Sequence, residues 1–451
     1  MTNTAHRPHR PDRPSYSPGR ATGDTPEPHE TRRTLGEQRM SLMDLLDSAC
    51  ATQEAPVTAE DVLARARALA PRLRERSEEM ENIRRLPPDV VELLRGTGVF
   101  RMAVPRAWGG PGLDAVEQTE VIEALATGDA SAAWCAMIGM DTPIYAGFLG
   151  EDVARRLLAD PDAATAGAIM PMGRAERVPG GYRVTGQWHF GSGITHSTWV
   201  VGGVLVTRNG EPEPGPPGAP GNWRIIVAPV EDFLVQDTWF STGLAASGSR
   251  DYRADGLYVP QEYTFSFAEP RITGAAATAD AVLRNMPGVP LGVARAAIDH
   301  IRQMAATRID TATGMPWSDT YRVQTVVARA EMDLSAARYA VYGSLREQWE
   351  ILEAGDVPTR DEQVATVLAR LNAFRTARSV VSDLFDLAAT AAVYRPSVLD
   401  RWLRDLNTMC QHVLAQEQVL QSAGALLLGG TPHNAYSVGV VHGGTGRRRE
   451  G

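Results

Sequence analysis

Apolar residues recur at helical spacing in the first third of the chain. Val62, Ala66, Leu69 and Leu73 follow one another at intervals of four, three and four residues, which places them along one face of a helix. The pattern continues through this part of the chain, and we therefore expect residues 56–164 to form an N-terminal helical domain. The further helices predicted there are Val90–Arg95, Val116–Leu125 and Ala130–Ile138.

Short runs rich in β-branched and aromatic residues replace the helical pattern from Thr165 onward. Turn-forming residues separate these runs. The insertion Gly210–Gly221 is rich in Pro and Gly and predicts a long hairpin loop. We therefore expect a β domain over residues 165–272, with strands at Tyr182–Thr185, Trp199–Val206, Trp223–Pro229 and Leu257–Val259.

Helical spacing returns near Ala279 and continues to Leu428. The predicted lengths suit an antiparallel bundle, so residues 273–430 are interpreted as a C-terminal four-helix bundle and the chain as an α+β multidomain protein. The flanking residues 1–55 are poor in apolar positions and are predicted to be a disordered extension with a short helix near Ser41–Ala49, and residues 431–451 a tail. The predicted bundle helices are Leu291–Thr307, Thr320–Glu353, Arg360–Ala392 and Ser397–Leu428.

Composition narrows the possible functions. The net charge of -9 argues against a nucleic-acid binder, which needs a basic face. No apolar run approaches the ~20 residues that cross a membrane, and the polar N-terminus does not resemble a secretory signal, so a cytoplasmic location is expected. The chain contains no lysine, which excludes Schiff-base chemistry and a Walker-type phosphate loop. The three cysteines lack the spacing of a disulfide framework or a zinc site, and no metal is expected.

Several short strings follow one another along the chain: Trp108-Gly109-Gly110, Pro171–Ala175, Gly186–Gly193, Gly243–Pro260 and Leu291–Arg295. Their order is that found in the acyl-CoA dehydrogenase superfamily. With them the chain, from about Leu86 to Gly430, resembles the flavin-dependent monooxygenase branch of that superfamily, the oxygenase component of two-component systems. The resemblance implies an N-terminal α-helical domain, a central β-barrel-like domain and a C-terminal four-helix bundle.

The resemblance places Ser192 and Gly193 beside the ring of a bound flavin. A serine hydroxyl can donate and accept hydrogen bonds, and one made to the flavin would slow the loss of peroxide from a C4a-hydroperoxyflavin. The alternative is a turn serine that satisfies backbone groups. Trp188 and Phe190 lie two residues apart on a predicted strand, so they should point to one face and contact the flavin there. An ordinary place in the β-domain core is the alternative for both.

His412 stands where the dehydrogenases of the superfamily carry their catalytic glutamate. In those enzymes an Arg-Asp pair is followed by Tyr-Glu-Gly, and the Glu removes a proton from an acyl thioester. Here Arg404-Asp405 is followed by His412 and Val413. Valine cannot take a proton, whereas a histidine with a pKa near ~6.5 can exchange one with a substrate or a peroxide. The alternative is a helix histidine satisfied by its neighbours.

Four further residues complete the predicted site. Thr408 and Gln416 lie four residues on either side of His412 and should share its helix face in a substrate pocket. Trp134 would border the same pocket, with the helical core as its alternative. Arg308 resembles an arginine that reaches a flavin phosphate across a subunit interface; a solvated residue at a helix end is the alternative.

The leading hypothesis is therefore a reduced-flavin-dependent monooxygenase that uses O2 and reduced FMN, with reduced FAD as the alternative cofactor. A separate NAD(P)H flavin reductase and a homotetramer are implied by the resemblance. The substrate would be a small organic molecule oxygenated at an aromatic carbon, an amine nitrogen or a sulfur, and the sequence leaves its identity open. One alternative is an FAD dehydrogenase or oxidase with Glu120 or Glu123 as the base. Another is a scaffold that has lost catalysis.

Overall fold

The computed structural model describes residues 57–215, 221–395, 397–433 and 438. The predicted N-terminal extension and most of the predicted tail lie outside the described residues. The N-terminal helices begin where side chains can satisfy their first N–H groups: Thr58 and Asp114 each form a capping box, and Asp129 accepts from the Ala132 N–H. These helices are α1 Ala59–Ile83, α2 Pro88–Thr97, α3 Ala115–Ala126, α4 Ala130–Gly139, α5 Thr142–Ala146 and α6 Glu151–Leu157.

A single mixed sheet follows, and its first strand begins at Thr165 as the sequence pattern predicted. The described strands pair in the order β6-β7-β2-β1-β3-β5-β8, with β4 added to β3. The β1–β3 pair is parallel and the others are antiparallel, so the predicted hairpin around the Pro/Gly insertion joins the antiparallel pair β3 and β5. The strands are β1 Thr165–Val178, β2 Gly181–Gly191, β3 Trp199–Arg208, β4 Glu211–Pro212, β5 Trp223–Pro229, β6 Leu234–Gln236, β7 Arg250–Pro260 and β8 Thr264–Phe265.

The C-terminal helices pack against one another and against α3 and α4, so that one hydrophobic core joins the N-terminal helices to the bundle. The sheet encloses a second, separate core. The bundle helices are α7 Gly288–Ala305, α8 Tyr321–Glu353, α9 Arg360–Ala388, α10 Thr390–Val393, α11 Val398–Met409 and α12 Glu417–Leu427.

The prediction of one continuous helix over Ser397–Leu428 is wrong. The chain leaves the helix after Met409 and passes through a 3-10 turn at Val413–Ala415 before α12 begins at Glu417. Apolar spacing continues across the break, because both helices bury one face against the same core, and periodicity therefore could not reveal it. His412 lies within this break. Among the described residues, no helix is long and apolar enough to cross a membrane.

Candidate active site

A β-bulge near the end of β2 separates two residues that strand alternation would place on one face. The pairing with β7 shifts by one residue between Trp188 and Gly191, and Phe190 adopts a left-handed φ of 64°. Trp188 therefore points into the sheet core, whereas Phe190 turns outward and is 68% exposed. The prediction that the two side chains share a face is wrong, because alternation holds only without a bulge.

The Trp188 side chain has no exposed surface that could contact a cofactor. Its side chain is fully buried, its ring stacks on Tyr252 with centroids 5.4 Å apart, and its Nε1 donates to the Gly203 carbonyl at 2.9 Å. A Cβ added at Gly173 would lie 2.4 Å from the indole ring, so the neighbouring strand needs glycine to make room for it. The expected flavin contact of Trp188 is wrong, and its core alternative is what the structure shows.

Ser192 lies immediately after the bulge, in a turn held by backbone hydrogen bonds. Its N–H donates to the Phe190 carbonyl at 2.8 Å, and the Gly193 N–H donates to the Ser247 carbonyl at 2.9 Å. Gly193 has a φ of 77°, a backbone conformation that favours glycine. The turn thus fixes Ser192 against the loop that carries Ser247.

The hydroxyls of Ser192, Ser249 and Ser247 form a hydrogen-bonded chain. The acceptor at the Ser247 end of this chain determines which hydroxyl donates in each bond. Ser247 Oγ lies 2.7 Å from the Leu244 carbonyl, which can only accept, so the Ser247 proton is committed there. Ser249 must then donate to Ser247, and Ser192 must donate to Ser249, each across 2.7 Å. Trp134 Nε1 donates to Ser192 Oγ at 3.1 Å. Ser192 therefore keeps one lone pair and acts as an acceptor toward any further group.

Helix α11 holds the loop that carries this chain. Asp405 accepts a 2.6 Å hydrogen bond from the Leu244 N–H, and Arg404 donates to the Thr242 carbonyl at 2.6 Å. A Cβ on Gly243 would lie 2.1 Å from the Arg404 carbonyl oxygen, so the two backbones touch. Burial, with a smaller contribution from the nearby Asp129 charge, raises the pKa of Asp405 to about 7. The Arg-Asp pair thus has a structural role: it places the serine chain.

His412 follows three residues after the end of α11 and caps the 3-10 turn. Its Nδ1 accepts from the Leu414 N–H at 3.3 Å, so the proton of the neutral ring resides on Nε2. Desolvation, with a smaller contribution from the positive charge of Arg370, lowers the pKa of His412 to about 4. Near neutral pH the ring is therefore an uncharged Nε2–H donor. This differs from the ordinary pKa that the sequence suggested.

Trp134 connects the serine chain to the histidine. It belongs to α4, is 5% exposed, and presents its ring edge to His412 with centroids 5.7 Å apart at 69°. The side chains of Ser192, Trp134 and His412 come from the sheet, the N-terminal helices and the bundle, and they meet at one place.

The two residues expected to flank His412 on a helix face do not do so. Thr408 lies in the last turn of α11, whereas Gln416 precedes α12, because the helix ends between them. Gln416 Nε2 donates to the Cys410 carbonyl at 2.6 Å and so ties the two ends of the connection that carries His412. Their predicted common helix face is wrong.

Arg308 lies beyond the end of α7, in contact with other parts of the bundle. Its guanidinium stacks on the Trp317 ring at 4.4 Å and donates to the Ala388 carbonyl at 3.4 Å. The described residues include no group of three or more metal-binding side chains.

Histidines 189 and 196, on either side of the Ser192 turn, differ in their surroundings. His189 faces solvent beside Asp251, with Nδ1 and the carboxylate 2.9 Å apart. His196 packs near Gly193, and burial lowers its pKa to about 4. Sequence reasoning missed Ser247 and Ser249, because only the β2–β7 pairing reveals that Ser249 lies beside Ser192.

Glu123 and Glu120, the two carboxylates considered as dehydrogenase bases, differ in their surroundings. Glu123 is 7% exposed and is held by Arg338 at 2.7 Å and by the Tyr342 hydroxyl at 2.5 Å. These two partners occupy both of its oxygens, so it is poorly placed to take a proton from a substrate. Glu120, one turn earlier on α3, is half-buried, and desolvation raises its pKa.

Comparison with known proteins identifies the family. Residues 58–157 match the model of the acyl-CoA dehydrogenase N-terminal domain, and residues 287–417 match that of the C-terminal domain. The indole-3-acetate monooxygenase of Pseudomonas putida is 30% identical over 374 residues, which cover 80% of this chain and 92% of the relative. The oxygenase subunit HsaA of a flavin-dependent monooxygenase from Rhodococcus jostii is 28% identical over 357 residues, covering 75% and 91%.

Solved structures share the fold. XiaF from a Streptomyces species, solved in complex with FADH2 and glycerol, superimposes with a TM-score of 0.77 at 21% identity, covering 83% of this chain and 97% of that one. The HsaA monooxygenase of Mycobacterium tuberculosis gives 0.75 at 22% identity, covering 84% and 100%.

The chain belongs to the acyl-CoA dehydrogenase superfamily and, within it, to the flavin-dependent monooxygenases. It is an enzyme of that class and uses reduced flavin. The resemblance read from the sequence is confirmed.

Proposed function

We propose that this chain is the oxygenase component of a two-component monooxygenase in which Ser192 and His412 act on opposite sides of Trp134. One observation carries the assignment: Trp134 donates to Ser192 Oγ at 3.1 Å and also packs edge-on against the His412 ring. Reduced flavin, when bound, would supply the two electrons that let one oxygen atom of O2 enter the substrate while the other leaves as water. The protein binds the flavin, excludes water and positions hydrogen-bonding groups.

An aromatic surface beside Ser192 suits the flat ring of a flavin. Phe190 is 68% exposed, and the Trp239 ring meets it at right angles with centroids 6.3 Å apart. A large apolar side chain held outward by a left-handed backbone has a conformational cost that the fold alone does not explain. We assign Phe190 to the flavin surface for this reason, and Gly193 to the turn that lets the cofactor approach the backbone.

Ser192 is the residue assigned to the flavin edge. The serine chain commits its proton to Ser249, and Trp134 occupies one of its two lone pairs. The remaining lone pair suits an N–H donor, which the central ring of a reduced flavin carries. The hydroxyl thereby distinguishes a reduced ring from an oxidised one that lacks this proton.

His412 is assigned to the substrate side. Since Nδ1 is held by the Leu414 N–H, the Nε2–H group is the one able to donate to an oxygen of the substrate or to the oxygen being transferred. Thr408 is proposed as a neighbouring pocket residue. Gln416 is proposed to act indirectly, through its hold on the Cys410 carbonyl.

Arg308 is proposed to bind a flavin phosphate across a subunit interface. A guanidinium has five N–H donors, and in the single chain one of them makes the 3.4 Å contact with Ala388. We propose reduced FMN as the cofactor and reduced FAD as the alternative. Anaerobic titration of wild type with each flavin shows which of the two binds more tightly. Arg308→Gln should weaken binding of that flavin by about tenfold.

Self-association is supported by one face of α8. Tyr321, Met332 and Tyr339 are spaced by 11 and 7 residues, so they share a face, and they are 83%, 64% and 82% exposed. Such a row on a bundle helix suits a helix of a second copy of the chain. We propose a homotetramer on this basis, with a separate NAD(P)H flavin reductase supplying the reduced flavin, as the names of the oxygenase subunits suggest for the relatives.

Oxygen labelling tests the proposed function. The protein, a flavin reductase, NAD(P)H and FMN are incubated under 18O2 with indole-3-acetate or resorcinol as the probe substrate. We expect one 18O atom in the product. Ser192→Ala and His412→Ala should each lower product formation by about 100-fold. Ser197→Ala, which removes a buried hydroxyl from the same loop, should leave it unchanged.

The dehydrogenase alternative predicts the opposite pattern. It requires reduction of oxidised FAD by an acyl thioester and no incorporation of 18O. Such a result would overturn the proposal. No feature of the described site favours it, because Val413 offers no base and Glu123 is already bound by Arg338 and Tyr342.

A further inference from the structure

Leu244 has an unusual backbone conformation in the loop that also carries Ser247 and Ser249. Its φ of 49° lies in the left-handed region, which costs energy for any residue other than glycine. Its side chain is 3% exposed and is packed in the core. The hydrogen bonds made by its backbone therefore have to offset the cost of this conformation.

The carbonyl of Leu244 positions two groups at once. It accepts from the Ser247 hydroxyl at 2.7 Å and from Trp239 Nε1 at 2.9 Å. The first bond orders the serine chain that ends at Ser192, and the second fixes the indole ring against which Phe190 packs. Leu244 thus positions both of the side chains that we assign to the flavin.

The N–H of Leu244 is held from a different part of the fold. It donates to Asp405 Oδ1 at 2.6 Å, and Asp405 belongs to α11 of the bundle. Asp405 is 5% exposed, so this hydrogen bond is shielded from water. A hydrogen bond to a charged carboxylate is roughly twice as strong as one to a neutral acceptor. The charge on Asp405 therefore decides how firmly Leu244 is held in its left-handed conformation.

The surroundings of Asp405 allow that charge to change near neutral pH. Burial and the Asp129 carboxylate at the start of α4 raise the pKa of Asp405 to about 7, against the opposing effects of the Leu244 N–H, Arg401 and Arg404. Other charged groups around α11 act on different partners: Glu81 and Asp400 on Arg404, His300 and Arg74 on the Trp402 ring, and Arg375 and Arg378 on Cys410.

We propose that Asp405 is a positioning residue for the flavin, and that the loop it holds binds reduced flavin more tightly when Asp405 is ionised than when it is protonated. This inference rests on the proposed function, because it takes Ser192 and Phe190 as the flavin contacts. Since the complex favours the ionised form, flavin binding near neutral pH releases a proton from Asp405 to solvent. Flavin affinity therefore rises with pH through the range in which Asp405 loses its proton.

Anaerobic titration with reduced FMN across this pH range tests the proposal. Asp405→Asn is the informative variant, because it keeps the shape and an acceptor oxygen but carries no charge. We expect wild type to bind about tenfold more tightly than Asp405→Asn at about pH 8.5, and nearly equally at about pH 5.5. The ionisation of FMN itself is common to both proteins, so the ratio of the two Kd values isolates Asp405. Asp400→Asn, on the same helix, is the matched control and should follow wild type.

The Leu244 amide reports the same proton in the absence of flavin. In protein labelled with 15N-leucine, its 1H shift should titrate with a midpoint near 7 in wild type and should not titrate in Asp405→Asn. Leu244→Met identifies the signal. Asp129→Asn, which keeps a residue suited to the N-cap and removes the neighbouring charge, should move the midpoint to lower pH.

Two results would overturn the proposal. One is a ratio of Kd values that stays constant with pH, which would leave Asp405 with a purely structural role. The other is a Leu244 amide that does not titrate in wild type. Failure of the proposed function is a different outcome, because it would abolish incorporation of 18O and leave the titration of the Leu244 amide in place.

Discussion

At the scale of single residues, the site depends on which atoms carry protons. A backbone carbonyl, that of Leu244, sets the direction of the hydroxyl chain through Ser247 and Ser249, and Ser192 is left as an acceptor. A backbone N–H, that of Leu414, sets His412 as an Nε2–H donor. A main-chain group therefore fixes which hydrogen bonds each of these two side chains can donate or accept.

Removing the Ser249 hydroxyl, which accepts the Ser192 proton, tests the order of the protons along the three serines. Ser249→Ala should free the Ser192 hydroxyl to rotate and weaken binding of reduced FMN by about three- to tenfold, the value of one hydrogen bond. Ser249→Thr keeps a hydroxyl and should bind nearly as wild type. Anaerobic titration of FMN fluorescence measures both. Unchanged affinity in Ser249→Ala would mean that the proton order does not matter.

The ionisation of His412 gives a prediction in pH. Its folded pKa of about 4 lies below the ordinary value near 6.5, so the folded protein resists protonation that the unfolded chain accepts. The contribution of His412 to stability is complete above about pH 6.5 and is lost as the pH falls toward 4. NMR titration of 13C-labelled histidine, with His412→Gln to identify the signal, should give a midpoint near 4. A midpoint near 6.5 would contradict the account.

At the scale of elements, the bulge in β2 and the break between α11 and α12 have the same structural effect. Each interrupts a regular element so that one side chain leaves the direction its periodicity would give: Phe190 turns out of the sheet, and His412 leaves the helix. Irregularities of this kind are frequent at functional sites, where the local cost is offset by the rest of the fold.

Substitution of Phe190, the residue with left-handed backbone at the bulge, should change stability and cofactor binding in opposite directions. Phe190→Gly should raise the free energy of unfolding by about 1 kcal/mol, because glycine adopts the left-handed backbone without strain. The same change should weaken flavin binding, because the exposed ring is lost. Phe190→Ala is the matched control: it loses the ring but keeps a Cβ, so it should bind flavin equally poorly without the gain in stability. Chemical unfolding and flavin titration of both variants measure this, and a stability gain in Phe190→Ala would contradict it.

These two interruptions also show where sequence reasoning fails. Apolar spacing correctly gave the helices around Val62 and Val116, since it records which face is buried. It could not show the end of α11 at Met409, because Cys410, Leu414 and Ala415 beyond it are buried in the same core. Strand alternation likewise assumed no bulge between Trp188 and Phe190. The family resemblance supplied Ser192 and His412, whereas Ser249 became visible only through the pairing of β2 with β7.

At the scale of the whole molecule, the site depends on three parts of the fold at once. Ser192 comes from the sheet, Trp134 from the N-terminal helices and His412 from the bundle. Contacts between Asp405 and Leu244 connect the bundle to the sheet, so a shift of α11 would move both ends of the site together.

The assembly proposed for α8 gives the prediction at this scale. Tyr339→Glu should place a charge in the centre of a helix interface and shift the protein toward smaller species, because an unpaired buried charge is strongly disfavoured. Asp152→Arg, an exposed site on α6, is the control for a change of charge. Sedimentation velocity measures the size of each. A wild-type protein that sediments as a monomer would contradict the tetramer and the cross-subunit role of Arg308.

The most direct test of the central claim is rapid mixing of the anaerobic protein–reduced FMN complex with oxygenated buffer, followed by absorbance. We expect a transient spectrum in wild type, distinct from those of reduced and oxidised flavin. The transient should form and decay in His412→Ala and should be short-lived or absent in Ser192→Ala. Direct return to oxidised flavin in wild type, at the rate of free reduced FMN, would contradict the account.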